Sequence, residues 1–437
     1  MLLQFSVTNF RSLRDRQSLS LVSDRAIKDA EQNLIPTDAS PTGSVLSTAL
    51  IYGANASGKS ATVSALADFQ SRIWMSFASR EGDLLNEHES VPAPPQPFLL
   101  DESHKDEGTT YEMDFIFEDV RHTYGFIVSP RRIESEWLYF YPKGYKAKLF
   151  ERNTEVSFGS YFQGDKEDLR RIAVGRPDAL MLSIGRAVQH PTIQPISSAI
   201  AIFDNSFANR QFYTRDRLLA RLPNEQLNLM VSVLDVLGTG ICDFERKSRT
   251  ERTPRSGPFA NALASAIMQP TGREVEYIEF KHRGAGGRTY SLPSGAESDG
   301  THQLLALLQN VFFVLEMGGL AVVDELDTSL HTQAAEAIVA LFAAPEVNRG
   351  KGQLVATTHN TNLMTIPNLR RDQLWFIEKN DEGASELYPL SEFETRKGMN
   401  VERAYLQGRF GATPFPNTEQ GFRELINRLS GQKIWHG

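Results

Sequence analysis

The chain has 437 residues, enough for about three domains at roughly 150 residues each. Hydrophobic residues make up 41% and charged residues 23%, a globular balance that excludes a wholly disordered chain. No run approaches the ~20 apolar residues of a membrane helix, and a net charge of −8, from 46 basic and 54 acidic side chains, disfavours an all-over nucleic-acid coat but allows a local basic patch.

The opening MLLQFSVTNFRSLRDRQ alternates apolar and polar residues over 2–9 and turns basic afterwards. That order predicts an edge strand and no export signal. The lone Cys242 has no disulfide partner and builds no zinc site, so a cytoplasmic protein is expected. A second alternating strand is expected at 17–22 and a buried strand at 48–52, with a helix over 60–77. Residues 91–97 hold four prolines and exclude a regular element. Several strands fill 111–150, and 165–237 reads as helical. The stretch 241–290 is the most basic, with Arg246, Lys247, Arg249, Arg252, Arg255, Arg273, Lys281, Arg283 and Arg288. Helices are expected over 301–316 and 332–344, and strands at 320–323 and 353–357. No repeat or low-complexity segment is visible.

Residues 53–60, GANASGKS, match G-x-x-x-x-G-K-[ST], between an apolar strand and a helical pattern. Gly53 and Gly58 let the backbone curl its N–H groups towards phosphates. Lys59 supplies a cation, and the Ser60 hydroxyl is a Mg²⁺ ligand. The following helix aims its positive end at the same anion. LAVVDE (320–325) is an apolar strand ending in two carboxylates. Taken alone it reads as an ordinary acidic turn. Opposite a phosphate loop, Asp324 is placed to hold magnesium and Glu325 to act as general base on water. TTHN (357–360) follows the next apolar strand. His359 there is placed to sense the γ-phosphate or orient the water, although a lone strand-terminal His is more often a capping residue.

Lys59 and Asp324 lie 265 residues apart, so a large insertion separates the halves of the site. SGAESDGTHQLL (294–305) puts small hydrogen-bonding residues before an apolar helix. It is either a plain N-cap through Thr301 or Asp299, or a second phosphate-binding helix start completing a site in another subunit.

Together these motifs resemble the ABC-type ATPases of the SMC/RecF/OLD branch, from residue 1 to about 390. VTNFRS (7–12) resembles the branch's N-terminal strand, GANASGKS its Walker A loop and ESDGT (297–301) the OLD-like variant signature. LAVVDELDTSLH resembles Walker B with the D-loop, and TTHN the switch-histidine loop. WFIEKNDEGASELYPLSEF and YLQGRFGATPF resemble the end of RloA/AbiL-type ATPases of bacterial anti-phage defence. The resemblance implies an α/β P-loop NTPase: an ABC-type head with a mixed sheet, an antiparallel β lobe and an inserted helical subdomain. The expected division is 1–160 for the first half of the head, 161–240 for the helical insert and 241–437 for the second half. ATP and Mg²⁺ are the implied cofactors. Gly53, Asn55, Gly58, Lys59 and Ser60 carry over to phosphate and metal binding, and Asp324 and Glu325 to Mg²⁺ and water activation. Ser298 and Gly300 carry over to a signature contact in trans, Asp327 to the D-loop, His359 to the switch and Arg11 to a nucleotide contact. The Q-loop glutamine has no clear match; Gln96, inside the proline cluster, is the candidate.

Only 78 residues follow His359, too few for a Toprim nuclease domain, so no nuclease is expected. Three functions compete: a homo-oligomeric defence ATPase controlling a separate effector, a RecF/SMC-like ATPase binding DNA through 246–288, and a transporter subunit, which the insertion and signature disfavour. The basic stretch reads equally as a solvated or protein-docking face. Pro177, Pro191 and Pro195 break the heptads of the insert, predicting a compact helical subdomain for oligomerisation or docking.

Overall fold

The computed structural model describes residues 1–28, 30–77, 94–201, 204–207, 219–220, 222–251, 273–293, 296–327, 332–367, 369–394 and 398–413. β1 (Leu2–Thr8) and β2 (Gln17–Ser20) pair antiparallel, and β3 (Leu34–Pro36) pairs with β4 (Ser44–Leu46). β5 (Thr48–Tyr52) is buried throughout, as its continuous apolar run demands of a strand covered on both faces. α1 (Lys59–Met75) follows the glycine-rich loop. A meander comes next: β6 (Thr109–Phe117), β7 (Val120–Val128), β8 (Ile133–Phe140), β9 (Ala147–Arg152) and β10 (Val156–Phe158). With β1 and β2 it makes a seven-stranded antiparallel sheet ordered β10-β9-β8-β7-β6-β1-β2.

Two of the three prolines then separate short helices: α2 (Lys166–Gly175), α3 (Met181–Ala187) and α4 (Ile193–Ala201). Pro177 and Pro191 fall between helices, and Pro195 sits in the first turn of α4, where a missing N–H costs nothing. The expected helical run 165–237 is interrupted by a strand, β11 (Asp204–Phe207), before α5 (Asn224–Val236). The four residues DNSF carry no alternation, so their pairing with another strand, not their own pattern, makes them extended.

β12 (Ile241–Glu251), β13 (Arg273–Arg283) and β14 (Thr289–Pro293) form a separate antiparallel sheet. α6 (Asp299–Met317), β15 (Leu320–Val323), α7 (Thr332–Ala343), β16 (Gln353–Thr357), β17 (Leu374–Lys379), β18 (Ser385–Pro389) and α8 (Val401–Leu406) complete the described chain. The central sheet runs β11-β15-β16-β5-β17-β18; the first five strands are parallel and β18 is antiparallel.

The alternation of β5 divides the core. Ala49 and Ile51 join Val63, Leu66 and Phe69 of α1, with Phe5, Tyr111 and Phe126 of the antiparallel sheet beyond. Leu50 and Tyr52 face the other way, into a cluster with Leu308 and Phe312 of α6 and Ile338 and Phe342 of α7. The molecule is therefore an α/β layer structure with α1 between two sheets. Leu169, Met181, Ile184 and Ile193 of α2–α4 belong to the first cluster, so the helical segment shares the core of the β lobe. Among the described residues no helix is long and apolar enough to cross a membrane.

Candidate nucleotide site

The register of the central sheet brings the motifs together. Val323 of β15 pairs with Ala356 of β16, and Thr357 of β16 pairs with Ile51 of β5. Three neighbouring parallel strands therefore end level, and their carboxyl ends release the phosphate loop, Asp324 and the segment carrying His359. Crevices beyond such strand ends are where open α/β sheets hold ligands.

Close packing shapes the phosphate loop. A Cβ on Gly53 would lie 2.4 Å from the Ile377 carbonyl, and one on Gly58 would lie 2.4 Å from Ser385 Oγ. Gly58 also has φ 117°, a conformation that favours glycine. Ser385 Oγ donates to Ser57 O at 2.6 Å and Ser385 N to Ser12 O at 2.7 Å, so the β17–β18 hairpin and the N-terminal segment brace the loop. Lys59 is 5% exposed. Its Nζ donates to Gly53 O and Ala54 O, each at 2.8 Å. Burial lowers the Lys59 pKa, opposed by the negative charges of Asp324, Glu325 and Asp327. Asn55 and Ser60 are exposed. Ser57 Oγ is buried with no hydrogen-bond partner among the described residues.

Two threonines organise the acidic side. Thr357 Oγ1 donates to Asp324 Oδ1 and accepts from Glu325 N, both at 2.7 Å. Asp324 is buried, and Glu325 is held at φ 55°, a left-handed conformation that costs a non-glycine residue about 1–2 kcal/mol. Asp327 Oδ1 accepts from Thr358 Oγ1 at 2.7 Å and from His359 N at 3.1 Å. The His359 ring reaches solvent, yet partial desolvation and the Lys59 charge hold its pKa below the usual 6.5, against the pull of the three carboxylates. Lys59, Asp324, Glu325, Asp327 and His359 thus share one electrostatic neighbourhood. The threonines escaped the sequence reading, although TTHN displays them and side chains at consecutive extended positions point oppositely.

Arg11 and Gln96 meet each other. Arg11 N donates to Gln96 O and Arg11 Nε to Gln96 Oε1, each at 2.6 Å. With Ser12, Pro95, Phe98 and Lys379 they line a cavity of about 600 Å³. Ser12 Oγ lies 2.8 Å from Ser385 Oγ, so this cavity adjoins the phosphate loop. Sequence reasoning missed Lys379 and Ser385, whose approach depends on the β17–β18 hairpin.

Ser298 and Gly300 stand apart. Ser298 caps α6, accepting from Thr301 N at 3.2 Å, so the cap is Ser298, not the expected Thr301 or Asp299. Gly300 is exposed, and a Cβ there would meet nothing nearer than Ser298 Oγ at 4.0 Å. Among the described residues no hydrogen bond or ion pair joins either residue to the phosphate loop of the same chain. Residues 328–331, after Asp327, lie outside the described residues, as do Arg252 and Arg255 of the basic stretch. Other cations of that stretch are engaged. Arg246 donates to Asn224 Oδ1 at 2.9 Å and to Ala220 O and Leu222 O. Lys247 pairs with Glu279 at 2.6 Å, Lys281 with Asp243 at 3.0 Å and Arg283 with Asp235 at 2.7 Å.

No curated protein matches the chain. Among solved structures, the SMC head bound to the C-winged helix domain of ScpA is similar at 16% identity, over 89% of this chain and 97% of that one, with a TM-score of 0.40. The SMC head domain from Thermotoga maritima is similar at 17% identity, over 90% and 99%, with a TM-score of 0.35. Residues 49–172 and 187–365, more than half of the chain, match the family described as "AAA domain, putative AbiEii toxin, Type IV TA system". The chain belongs to this family of AAA-domain ATPases.

Proposed function

We propose that this chain binds MgATP beyond the ends of β5, β16 and β15 and hydrolyses it, as the ATPase of a cytoplasmic bacterial anti-phage system controlling a separate effector. The carrying observation is the buried Lys59 ammonium, held by two loop carbonyls with three carboxylates and His359 nearby. The loop fits a triphosphate: Gly53 and Gly58 pack closely against Ile377 and Ser385, and among the described residues Ser57 Oγ is buried without a partner and no carboxylate ion-pairs with Lys59. Ser60 and Asp324 would hold the magnesium, which when bound neutralises phosphate charge and so favours attack by water.

The protein's own groups do the remainder. Thr357 holds Asp324 through its Oδ1 and Glu325 through its backbone N–H, which keeps both residues at the crevice. Glu325 is the general base that takes the proton from water. His359, kept neutral at pH 7, orients that water or reads the terminal phosphate. Gly53, Asn55, Gly58 and Lys59 bind phosphate oxygens through backbone N–H groups and the ammonium. The cavity of Arg11, Gln96 and Lys379 accommodates the nucleoside half, with Gln96 positioning Arg11.

Ser298 and Gly300 are exposed and unattached to their own phosphate loop, which supports their completing the site of a second copy with Asp327 at the junction. The chain would then work as a homo-oligomer with shared ATP sites. We further propose a head made of 1–160 and 241–437, with 161–240 inserted for assembly or docking. The toxin–antitoxin wording of the family description and the RloA/AbiL-like tail support the defence role. Titration of ATP into the protein with Mg²⁺ tests the binding reading: Lys59→Ala should lose binding, and unchanged affinity would overturn it.

A further inference from the structure

We infer that Glu297 and His282 form a positioning pair that couples the β12–β14 sheet to the start of α6, and so governs how Ser298 and Gly300 meet a second copy's nucleotide. The inference rests on the composite-site reading above. His282 Nε2 lies 2.7 Å from Glu297 Oε1, and the Glu297 side chain is only 5% exposed. A carboxylate so desolvated needs a hydrogen-bonding partner, and this one comes from β13. Glu297 immediately precedes Ser298. The Ser298 cap is local to the first turn of α6, so it shapes the helix start without linking it to another element; the bond to His282 ties that start to the β12–β14 sheet.

Both ends of the link are stiff. α6 has 19 residues, a rod of about 28 Å. At its far end Gly318 packs against Gly350, where a Cβ would come 2.5 Å from the carbonyl oxygen, and β15 then leads to Asp324. On the other side, β12 and β13 are paired from Ile241–His282 to Glu251–Arg273, a ribbon of about 35 Å. His282 stands at the base of that ribbon. Displacement of the ribbon by a partner therefore reaches the signature residues through this hydrogen bond.

The test measures ATP turnover by the full chain with Mg²⁺ across a range of protein concentrations. Glu297→Ala and His282→Leu should each lower kcat about tenfold, the scale expected for losing a hydrogen bond to a charged group. KM for ATP should stay near wild type, because the nucleotide loop of each chain is untouched, whereas His282→Leu, which leaves the desolvated Glu297 carboxylate without its partner, should lower the melting temperature more than Glu297→Ala does. The double variant should be no worse than either single one, and His282→Gln, whose amide N–H can still donate, should recover turnover. Wild-type kcat in Glu297→Ala, or additive losses in the double variant, would overturn the pairing. Should Glu297→Ala unfold, equal turnover by His282→Gln and His282→Leu would do the same. Wild-type turnover per chain that stays unchanged down to concentrations at which the protein is monomeric would overturn the composite-site reading and this inference with it; turnover that falls as the protein dissociates, with an unaffected Glu297→Ala, would overturn this inference alone.

Discussion

Thr357 shows how much one side chain can arrange. Its hydroxyl serves Asp324 and Glu325 at once, so Thr357→Val should leave the Glu325 N–H without its acceptor, at about 1–3 kcal/mol. We expect roughly a tenfold or greater loss of turnover, with recovery in Thr357→Ser; single-turnover measurement checks it, and an unimpaired Thr357→Val would refute the assignment. His359 gives a pH prediction. Its pKa is lowered from 6.5 by burial and by Lys59, so the ring is neutral at pH 7 and gains its proton only at more acidic pH. Turnover should stay level from neutral pH down to about 6.5 and fall below that, and His359→Gln should remove that acid limb from the pH–rate profile. The convergence of Lys59, Asp324 and Glu325 could be expected from the sequence because spacing and residue type point to it. Thr357, Ser385 and Lys379 could not, because their roles depend on which strands lie side by side.

Among the elements, β5, β15 and β16 were legible as continuous apolar runs bounded by glycine or acid, and α6 and α7 by helical spacing. β11 was not, since four polar-rich residues become a strand only by joining the edge beside β15. Gly58 shows the same contrast: its motif position was readable, but its contact with Ser385 was not. Gly58→Ala should strain both the left-handed φ and that contact, and we expect weakened ATP binding with the fold retained, measured by titration and far-UV circular dichroism. A second brace lies before β17. Arg370, 1% exposed, makes two hydrogen bonds to Asp372, at 2.9 and 2.8 Å, and reaches the carbonyls of Asp24 and Ile27. Arg370→Leu leaves Asp372 buried without its counter-charge and should cost about 3–5 kcal/mol in urea unfolding, whereas a loss below ~1 kcal/mol would mean that the pair is not buried in solution.

At the scale of the whole molecule, described cations of the basic stretch are partly neutralised. Lys247, Lys281 and Arg283 are matched by Glu279, Asp243 and Asp235, which the sequence could not show because the partners come from other strands and a helix. With a net charge of −8, the protein should bind labelled duplex DNA weakly at physiological salt; tight binding that falls steeply with added salt would restore the DNA reading. The strands of 111–150 were legible in their alternation, while the layering of α1 between two sheets and the shared core of the β lobe and α2–α4 emerged only from packing. We propose one MgATP hydrolysis site, with Lys59 for binding and Glu325 for chemistry. Its most direct test is parallel measurement of ATP binding and phosphate release in wild type and Glu325→Gln. The account predicts retained ATP affinity in Glu325→Gln with phosphate release at least a hundredfold slower, about 2.7 kcal/mol of barrier. Release at the wild-type rate would contradict it.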